Sequence, residues 1–540
     1  LEQMMNTLTD EEVKAIKRGG QDQKKIFAAF AKASESNGKP TVILVKTVKG
    51  DGMGAQGKNT AHQYKNILVE ERITVAKELG IPLADEAAMA AAFYRPSDDS
   101  PELTYMRERR EQLDGYLPNR NVSCAPLEIP RLERFKDILA GSGKREVSTT
   151  MVMVRLLSSM LRMPEIARYL VPIVPDEART FGMDGLFKAA GIYSAQGQKY
   201  RPVDADSLMP YREAHDGQIL QEGICEVGAM ASFMAAGSAY SVHGLPMIPF
   251  YIFYSMFGFQ RVGDMIWSCG DMMCKGFLLG GTAGRTTLNG EGLQHQDGHS
   301  HVLASTVPSL LSYDPAFGYE VAVIVREGMH RMYEDQEDVF YYLTLYNENH
   351  LMPDMNEVLA ATDQTEADLV QGILQGGYCF KRPSQSSAQV HLLSSGSIMQ
   401  QTLEAAGQLE AMGFSVAVWS MTSFVELQRQ AMAVDRSNRD ASVKDQQLTN
   451  LQQMFAGQSG AFLAVTDYMA SLALGIAAWM PQGYEVLGTD GFGLSESRPS
   501  LRAHFEVDAN SIVKTALANL RRQNLLSAKA VAKHLKALSR

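Results

Sequence analysis

Cysteine is scarce in this chain, with five in 540 residues, at positions 124, 225, 269, 274 and 379. Odd in number and irregularly spaced, they exclude a disulfide framework or a zinc site and fit free thiols in a reducing, cytoplasmic compartment. Long apolar runs are missing too. The longest, Met247–Phe259 (MIPFYIFYSMFGF), is too short to cross a bilayer and ends in Gln260-Arg261. Nothing reads as a signal peptide. Basic residues number 51 against 61 acidic ones, a net charge of −10. That balance argues against nucleic acid or an anionic membrane as partner, since either demands a basic face. What remains is an ordinary globular composition, 45% apolar and 21% charged, in a chain too long for one core. Roughly three domains are expected. The text opens on Leu1 and starts abruptly, which predicts a fragment or a processed chain.

Hydrophobic patterning predicts an α/β protein with doubly wound, mostly parallel sheets. A Thr9-Asp10-Glu11-Glu12 start opens a helix, a second helix spans about 22–35, and Thr41–Thr47 (TVILVKT) reads as a strand. Residues 51–66 are polar and glycine-containing, the pattern of a mobile loop. Later strands are predicted at Leu170–Val174, within Met247–Phe259, and at Gly276–Gly280 and Phe340–Tyr346. A long helix is predicted over Gln218–Tyr240. From about 385, Val390–Leu393, a helix from Ile398 to Met412, and Ser415–Trp419 make a βαβ unit. Ala461–Val465 and Glu485–Leu487 extend it. Ligands of such sheets sit at the carboxyl ends of the strands.

Several short motifs carry nothing. Gly141-Ser142-Gly143-Lys144 lacks the first glycine and the final Ser or Thr of a P-loop. Gly280–Gly284 is no dinucleotide fingerprint. Gly50-Asp51-Gly52 imitates the start of a thiamine-diphosphate magnesium motif without the later Asn pair.

Four segments do carry chemistry. GRTTLNGEGLQHQDGHSH, Gly284–His301, packs Arg285, Asn289, Glu291, His295, Asp297, His299 and His301 among four glycines. It can be a solvated loop, a metal site with His295, Asp297, His299 and His301 as ligands, or a substrate site using neutral histidine. On the expected 218–240 helix, Glu222 and Glu226 share a face. Surrounding Gly223, Gly228, Ala229 and Ala231 predict close packing and a raised carboxyl pKa. Tyr254–Arg261 ends a buried strand with aromatics suited to a flat heteroaromatic ring, Phe257 stacking on it. Val174–Arg179 is another strand end, bearing Asp176 and Glu177.

PDEARTFGM, ILQEGICEVGA, PFYIFYSMFGFQR, the 284–301 block and LGTDGFGLSESR closely resemble the homodimeric pyruvate dehydrogenase component of the pyruvate dehydrogenase complex. The resemblance runs from about residue 9 to the end. It implies a transketolase-like architecture, with residues 1–75 as the tail of a diphosphate-binding domain and 76–130 as a connection. Residues 131–355 would be a pyrimidine-binding domain and 356–540 a C-terminal domain. It implies thiamine diphosphate with Mg2+, whose ligands would lie in a missing N-terminal part, and no metal ligands here. Glu226 would hydrogen-bond the aminopyrimidine and Phe257 stack on it. Ile224, Arg261 and Lys49 would also contact the cofactor, Lys49 near the diphosphate. His295, Tyr254, Asp176 and Glu177 would face the substrate, and His62 in the first loop would serve acetyl transfer. Residues 194–212 would form a second mobile loop. The implied activity decarboxylates pyruvate and acetylates a lipoyl group. The implied partners are a second copy of the chain and the dihydrolipoyl acetyltransferase, through its lipoyl domain and subunit-binding region. Gln56 stands near where the family has an acidic residue, in a loop that looks short. A metal-dependent hydrolase built on His295–His301 and a non-catalytic subunit are the alternatives.

Overall fold

The structure is a computed structural model that describes every residue except 1–5, 16–18, 36–37, 54, 116–123, 176–177, 204, 207–209, 441, 443 and 539–540. Two compact units emerge, residues 1–119 and 120–540, and each is taken by itself.

In the first unit the capping chemistry read from the sequence forms two helices. Thr9 and Glu12 cap the helix Asp10–Ala15 reciprocally, and the Asp22 carboxylate accepts from Lys24 and Lys25 N–H at the head of Gln23–Ser34. Three more helices follow, Val69–Glu78, Asp85–Met89 and Pro101–Glu111. The expected strand at 41–47 does not form. Val42 and Leu44 are 82% and 92% exposed, and among the described residues no neighbouring strand takes up their backbone groups. A β-branched run becomes a strand only where a ladder partner exists.

The second unit is built on two sheets. Strands β1 (Leu170–Val174), β2 (Leu220–Gln221), β3 (Ile248–Tyr254), β4 (Phe277–Gly281), β5 (Leu310–Tyr313) and β6 (Phe340–Thr344) form the first. Its order is β2-β1-β3-β4-β6-β5, all parallel. β1, β4, β5 and β6 are buried along their whole length, as expected of parallel strands covered on both faces. Helix α1 (Thr149–Met160) precedes β1. Helix α2 (Glu226–His243) connects β2 to β3, α3 (Ser255–Asp271) connects β3 to β4, and α4 (Gly318–Met329) connects β5 to β6.

The second sheet has strands β7 (Tyr378–Lys381), β8 (Val390–Ser394), β9 (Val416–Ser420), β10 (Ala461–Val465) and β11 (Tyr484–Leu487), in the order β7-β9-β8-β10-β11. Only β7 runs antiparallel, against β9. Helices α5 (Met399–Ala411) and α6 (Ala509–Arg522) pack against each other beside it. Among the described residues no helix is long and apolar enough to cross a membrane.

Two further expectations need correction. The predicted helix from Gln218 starts only at Glu226. Leu220 and Gln221 pair with β1 as β2, Gly223 turns the chain in the left-handed region, and Cys225 caps α2. Glu222 therefore shares no helix face with Glu226, and its carboxylate accepts from the Ser232 hydroxyl instead. The apolar run ending at Phe259 is a strand only to Tyr254; Ser255 already belongs to α3. Helix and strand meet without a loop because Gly258 lies against the Phe253 ring, where a Cβ would collide.

Candidate active site

The carboxyl ends of β3 and β4 gather most of the polar chemistry. Direct passage from β3 into α3 places Phe257 and Arg261 four residues apart, hence on one face. The Arg261 guanidinium carbon lies 4.0 Å from the Phe257 ring centroid, and its Nη1 donates to Glu226 Oε1 at 2.5 Å. Glu226 opens α2 and is 9% exposed. An anion there is favoured by the helix dipole as well as by the guanidinium. Tyr251 on β3 donates its hydroxyl to the Glu226 carbonyl at 3.3 Å, tying helix to strand. Burial, then the charge of Glu226, pushes the Tyr251 pKa far up, so the phenol keeps the proton it donates.

His295 arrives from the loop after β4. Its ring centroid lies 5.3 Å from that of Tyr254 and 5.0 Å from that of Phe257, both edge-on or tilted. Tyr254 and Phe257 contact each other at 5.7 Å, and Phe181 closes on Tyr254 at 5.3 Å. The His295 Nδ1 is buried with no hydrogen-bond partner; Glu291 Oε2 approaches to 3.4 Å without hydrogen-bond alignment.

What holds this loop lies far away in sequence. The buried Asp467 carboxylate accepts from Thr286 N–H (2.9 Å) and hydroxyl (2.6 Å), and from Thr287 N–H (3.2 Å) and hydroxyl (2.6 Å). Burial raises its pKa, and the threonine bonds work against that. Arg285 donates to the Thr489 carbonyl at 2.8 Å and to that of Gly491. Arg498 Nε donates to the Thr287 carbonyl at 2.5 Å, and Gln296 Oε1 accepts from Leu494 N–H at 2.8 Å. The 487–498 motif is thus a clamp on the 284–301 motif. Sequence reading singled out both segments but missed the clamp and Asp467; the only signal was the polar density of the two motifs.

The metal reading of the histidines is overturned. Asp297 Oδ1 is occupied by the backbone N–H groups of His299 (2.9 Å) and Ser300 (3.0 Å). His299 Nε2 lies 2.8 Å from Gln260 Nε2. His301 turns into the sheet, bonding Ser312 and Thr344. Among the described residues no group of three or more His, Cys, Asp or Glu side chains could hold a metal ion.

Of the residues expected from sequence, Glu226, Tyr254, Phe257, Arg261 and His295 come together here. Ile224 stands two residues before Glu226 and is 72% exposed. Asp176 and Glu177 lie outside the described residues. Lys49 and His62 belong to the first unit, where Lys49 Nζ is 2.5 Å from His62 Nδ1. Their loop is stitched by short turns, including Met53 N–H to the Gly50 carbonyl at 3.1 Å, and closed by Gly57 N–H to the Lys49 carbonyl at 3.2 Å.

Comparison with known proteins gives this geometry its relatives. A family profile described as the pyruvate dehydrogenase E1 component middle domain matches residues 127–353, and one for the transketolase-like C-terminal domain matches 376–508. Solved transketolases from Pichia stipitis, in complex with sedoheptulose-7-phosphate, and from Campylobacter jejuni share the fold. Their TM-scores are 0.61 and 0.60, each at 17% identity, covering 94% and 92% of this chain and 68% and 66% of theirs. The pyruvate dehydrogenase E1 components of Pseudomonas aeruginosa and Escherichia coli K12 are 47% and 46% identical over 98% and 97% of the chain. The chain spans 59% and 58% of their lengths, about three-fifths. Over nearly all of its residues, then, the chain is similar to pyruvate dehydrogenase E1 components, and residues 127–353 match that family's middle-domain profile.

Proposed function

We propose that the protein containing this chain is a thiamine-diphosphate-dependent pyruvate dehydrogenase that decarboxylates pyruvate and passes the acetyl group to a lipoyl arm of a dihydrolipoyl acetyltransferase. The observation that carries the reading is the strand-end cluster of Glu226, Arg261, Phe257, Tyr254 and His295. A nearly buried carboxylate fixed by a guanidinium, beside an aromatic face and an imidazole with a free buried nitrogen, fits a flat aminopyrimidine flanked by a small oxo acid. When bound, the cofactor supplies a carbon nucleophile and an electron sink for the 2-oxo acid. Glu226 would hydrogen-bond the pyrimidine ring and exchange a proton with it, and Phe257 would stack on it. His295 and Tyr254 would face the substrate, with Asp176 and Glu177 beside them. Lys49 is proposed for the diphosphate and His62 for acetyl transfer.

Under this reading Mg2+ and its ligands belong to the portion of the relatives' length that this chain does not span. Residues 1–75 would be the tail of the diphosphate domain, 131–355 the pyrimidine domain and 356–540 the C-terminal domain. A homodimer is part of the same proposal. It is supported by exposed apolar side chains around the site, Ile224 (72%) and Phe492 (79%) in loops and Val227 (54%) in the first turn of α2.

The test is pyruvate-dependent reduction of an artificial electron acceptor by the intact protein, with thiamine diphosphate and Mg2+ each added or withheld. Activity that needs both supports the proposal. Silence with both present sinks it for pyruvate.

A further inference from the structure

His301 ends the site loop, yet its ring faces neither Tyr254 nor Phe257. It is 2% exposed, inside a polar network between the first sheet and the matched C-terminal segment. The network can be followed proton by proton. Thr344 has one hydroxyl proton, and Asp314 Oδ1 accepts it at 2.6 Å. Thr344 Oγ1 therefore accepts from His301 Nε2–H at 2.8 Å, and His301 Nδ1 lies 2.6 Å from the Ser312 hydroxyl. Burial drives the imidazole pKa down and so favours the neutral Nε2–H form, in which the Ser312 hydroxyl donates to Nδ1.

Asp314 gathers further donors. Tyr346 gives its hydroxyl to Oδ1 at 2.5 Å, and Ser395, beside β8, gives its own to Oδ2 at 2.6 Å. Tyr468 meets the His301 ring edge-on at 4.8 Å. The loop is thus pinned at both ends. Asp467 holds Thr286 and Thr287 where it leaves β4, and the Asp314 chain holds His301 in the short helix Ser300–Ala304 that ends it.

We infer that His301 and Asp314 are positioning residues for the site, holding the far end of the loop so that His295 stands against Tyr254 and Phe257. The kinetic part of the inference rests on the proposed activity; the structural part does not. Loss of the chain frees the loop beyond the Gln296–Leu494 bond, the segment that steadies His295 from the far side, and a displacement of about 1 Å at a reacting group can cost on the order of 100-fold in rate.

His301→Ala, His301→Gln and Asp314→Asn in the intact protein test this by hydrogen exchange and by acceptor kinetics. In His301→Ala, amide exchange over residues 286–300 should quicken about tenfold while α2 and the second sheet keep their protection. The kcat should fall roughly 10- to 100-fold with the pyruvate KM nearly unchanged. His301→Gln, able to keep one bond, should recover part of both. Should His301→Ala fail to fold, Asp314→Asn carries the same two readouts. Unchanged loop exchange overturns the inference, as does protection lost evenly across the chain with kcat per folded molecule intact. A loop released by the substitution in a protein without pyruvate activity would instead overturn the proposed function and leave the positioning role standing.

Discussion

Glu226 sits where a helix dipole and a guanidinium both favour its negative charge, and almost no water reaches it. Replacing the carboxylate by the isosteric amide should keep the fold and remove the proton acceptor. Glu226→Gln is expected to lose about 10²- to 10⁴-fold in acceptor-linked turnover, with melting temperature and circular dichroism unchanged. Retained turnover would remove Glu226 from the chemistry. His391 on β8 obeys different physics. It stacks on Phe462 at 4.3 Å, accepts from Trp419 Nε1–H at 3.3 Å, and lies 3.3 Å from the Ser459 carbonyl through Nε2. Burial pulls its pKa down from 6.5 to about 4. The unfolded chain takes up this proton near pH 6.5 and the folded chain only near 4. Its contribution is therefore complete above pH 6.5 and is lost as the pH falls to 4, by roughly 3 kcal/mol. Denaturation midpoints at pH 7 and pH 4.5 should converge in His391→Phe relative to the unsubstituted protein. An unaltered pH slope would refute this assignment.

At the scale of elements, the loop after β4 and the head of α4 are both held by buried carboxylates. Glu320, in the first turn of α4, accepts from Ala316 N–H (2.6 Å), Phe317 N–H (3.0 Å), and the Tyr378 and Ser420 hydroxyls (both 2.6 Å). Burial raises its pKa although all four donors oppose the shift. Glu320→Ala strands those donors between the first sheet and β7–β9, so a loss of roughly 3–5 kcal/mol is expected, read as a lower melting temperature. Gly298 is the second lever. A Cβ there would collide with the Arg285 guanidinium that reaches the Thr489 carbonyl. Gly298→Ala should displace Arg285, loosen the clamp and cost about 1–3 kcal/mol. Kinetics of the folded variant should show a kcat deficit; wild-type turnover would show that the clamp does not set the site.

For the whole molecule, apolar side chains remain on the surface where the functional loops lie. Phe492 follows the Gly491 carbonyl that receives Arg285, and Ile224 and Val227 flank Glu226. If these close against a second copy, Ile224→Asp combined with Phe492→Asp should shift sedimentation of the intact protein from dimer toward monomer at micromolar concentration. An unshifted dimer would place the interface elsewhere.

The sequence by itself determined the elements whose signals are local. Leu170–Val174 and Ala461–Val465 form the strands their apolar runs predict, because a strand buried on both faces needs nothing but continuous apolar character. The polar density of 284–301 and the aromatics around Tyr254 are local signals too, and they marked the segments that meet in the candidate site. Tertiary structure decided the rest. Helix α2 begins eight residues later than its composition predicts, because Leu220 and Gln221 found a ladder partner in β1. TVILVKT forms no strand, because no described neighbour pairs with it. In a loop of three histidines, His295 meets the aromatics while His301 points into the sheet. Ser312 and Thr344, backed by Asp314 and Ser395, make the second orientation possible by bonding both ring nitrogens, and burying an imidazole requires just such partners. Periodicity records which face of an element is apolar; it carries no record of hydrogen bonds that span 180 residues, as those of Asp467 to Thr287 do.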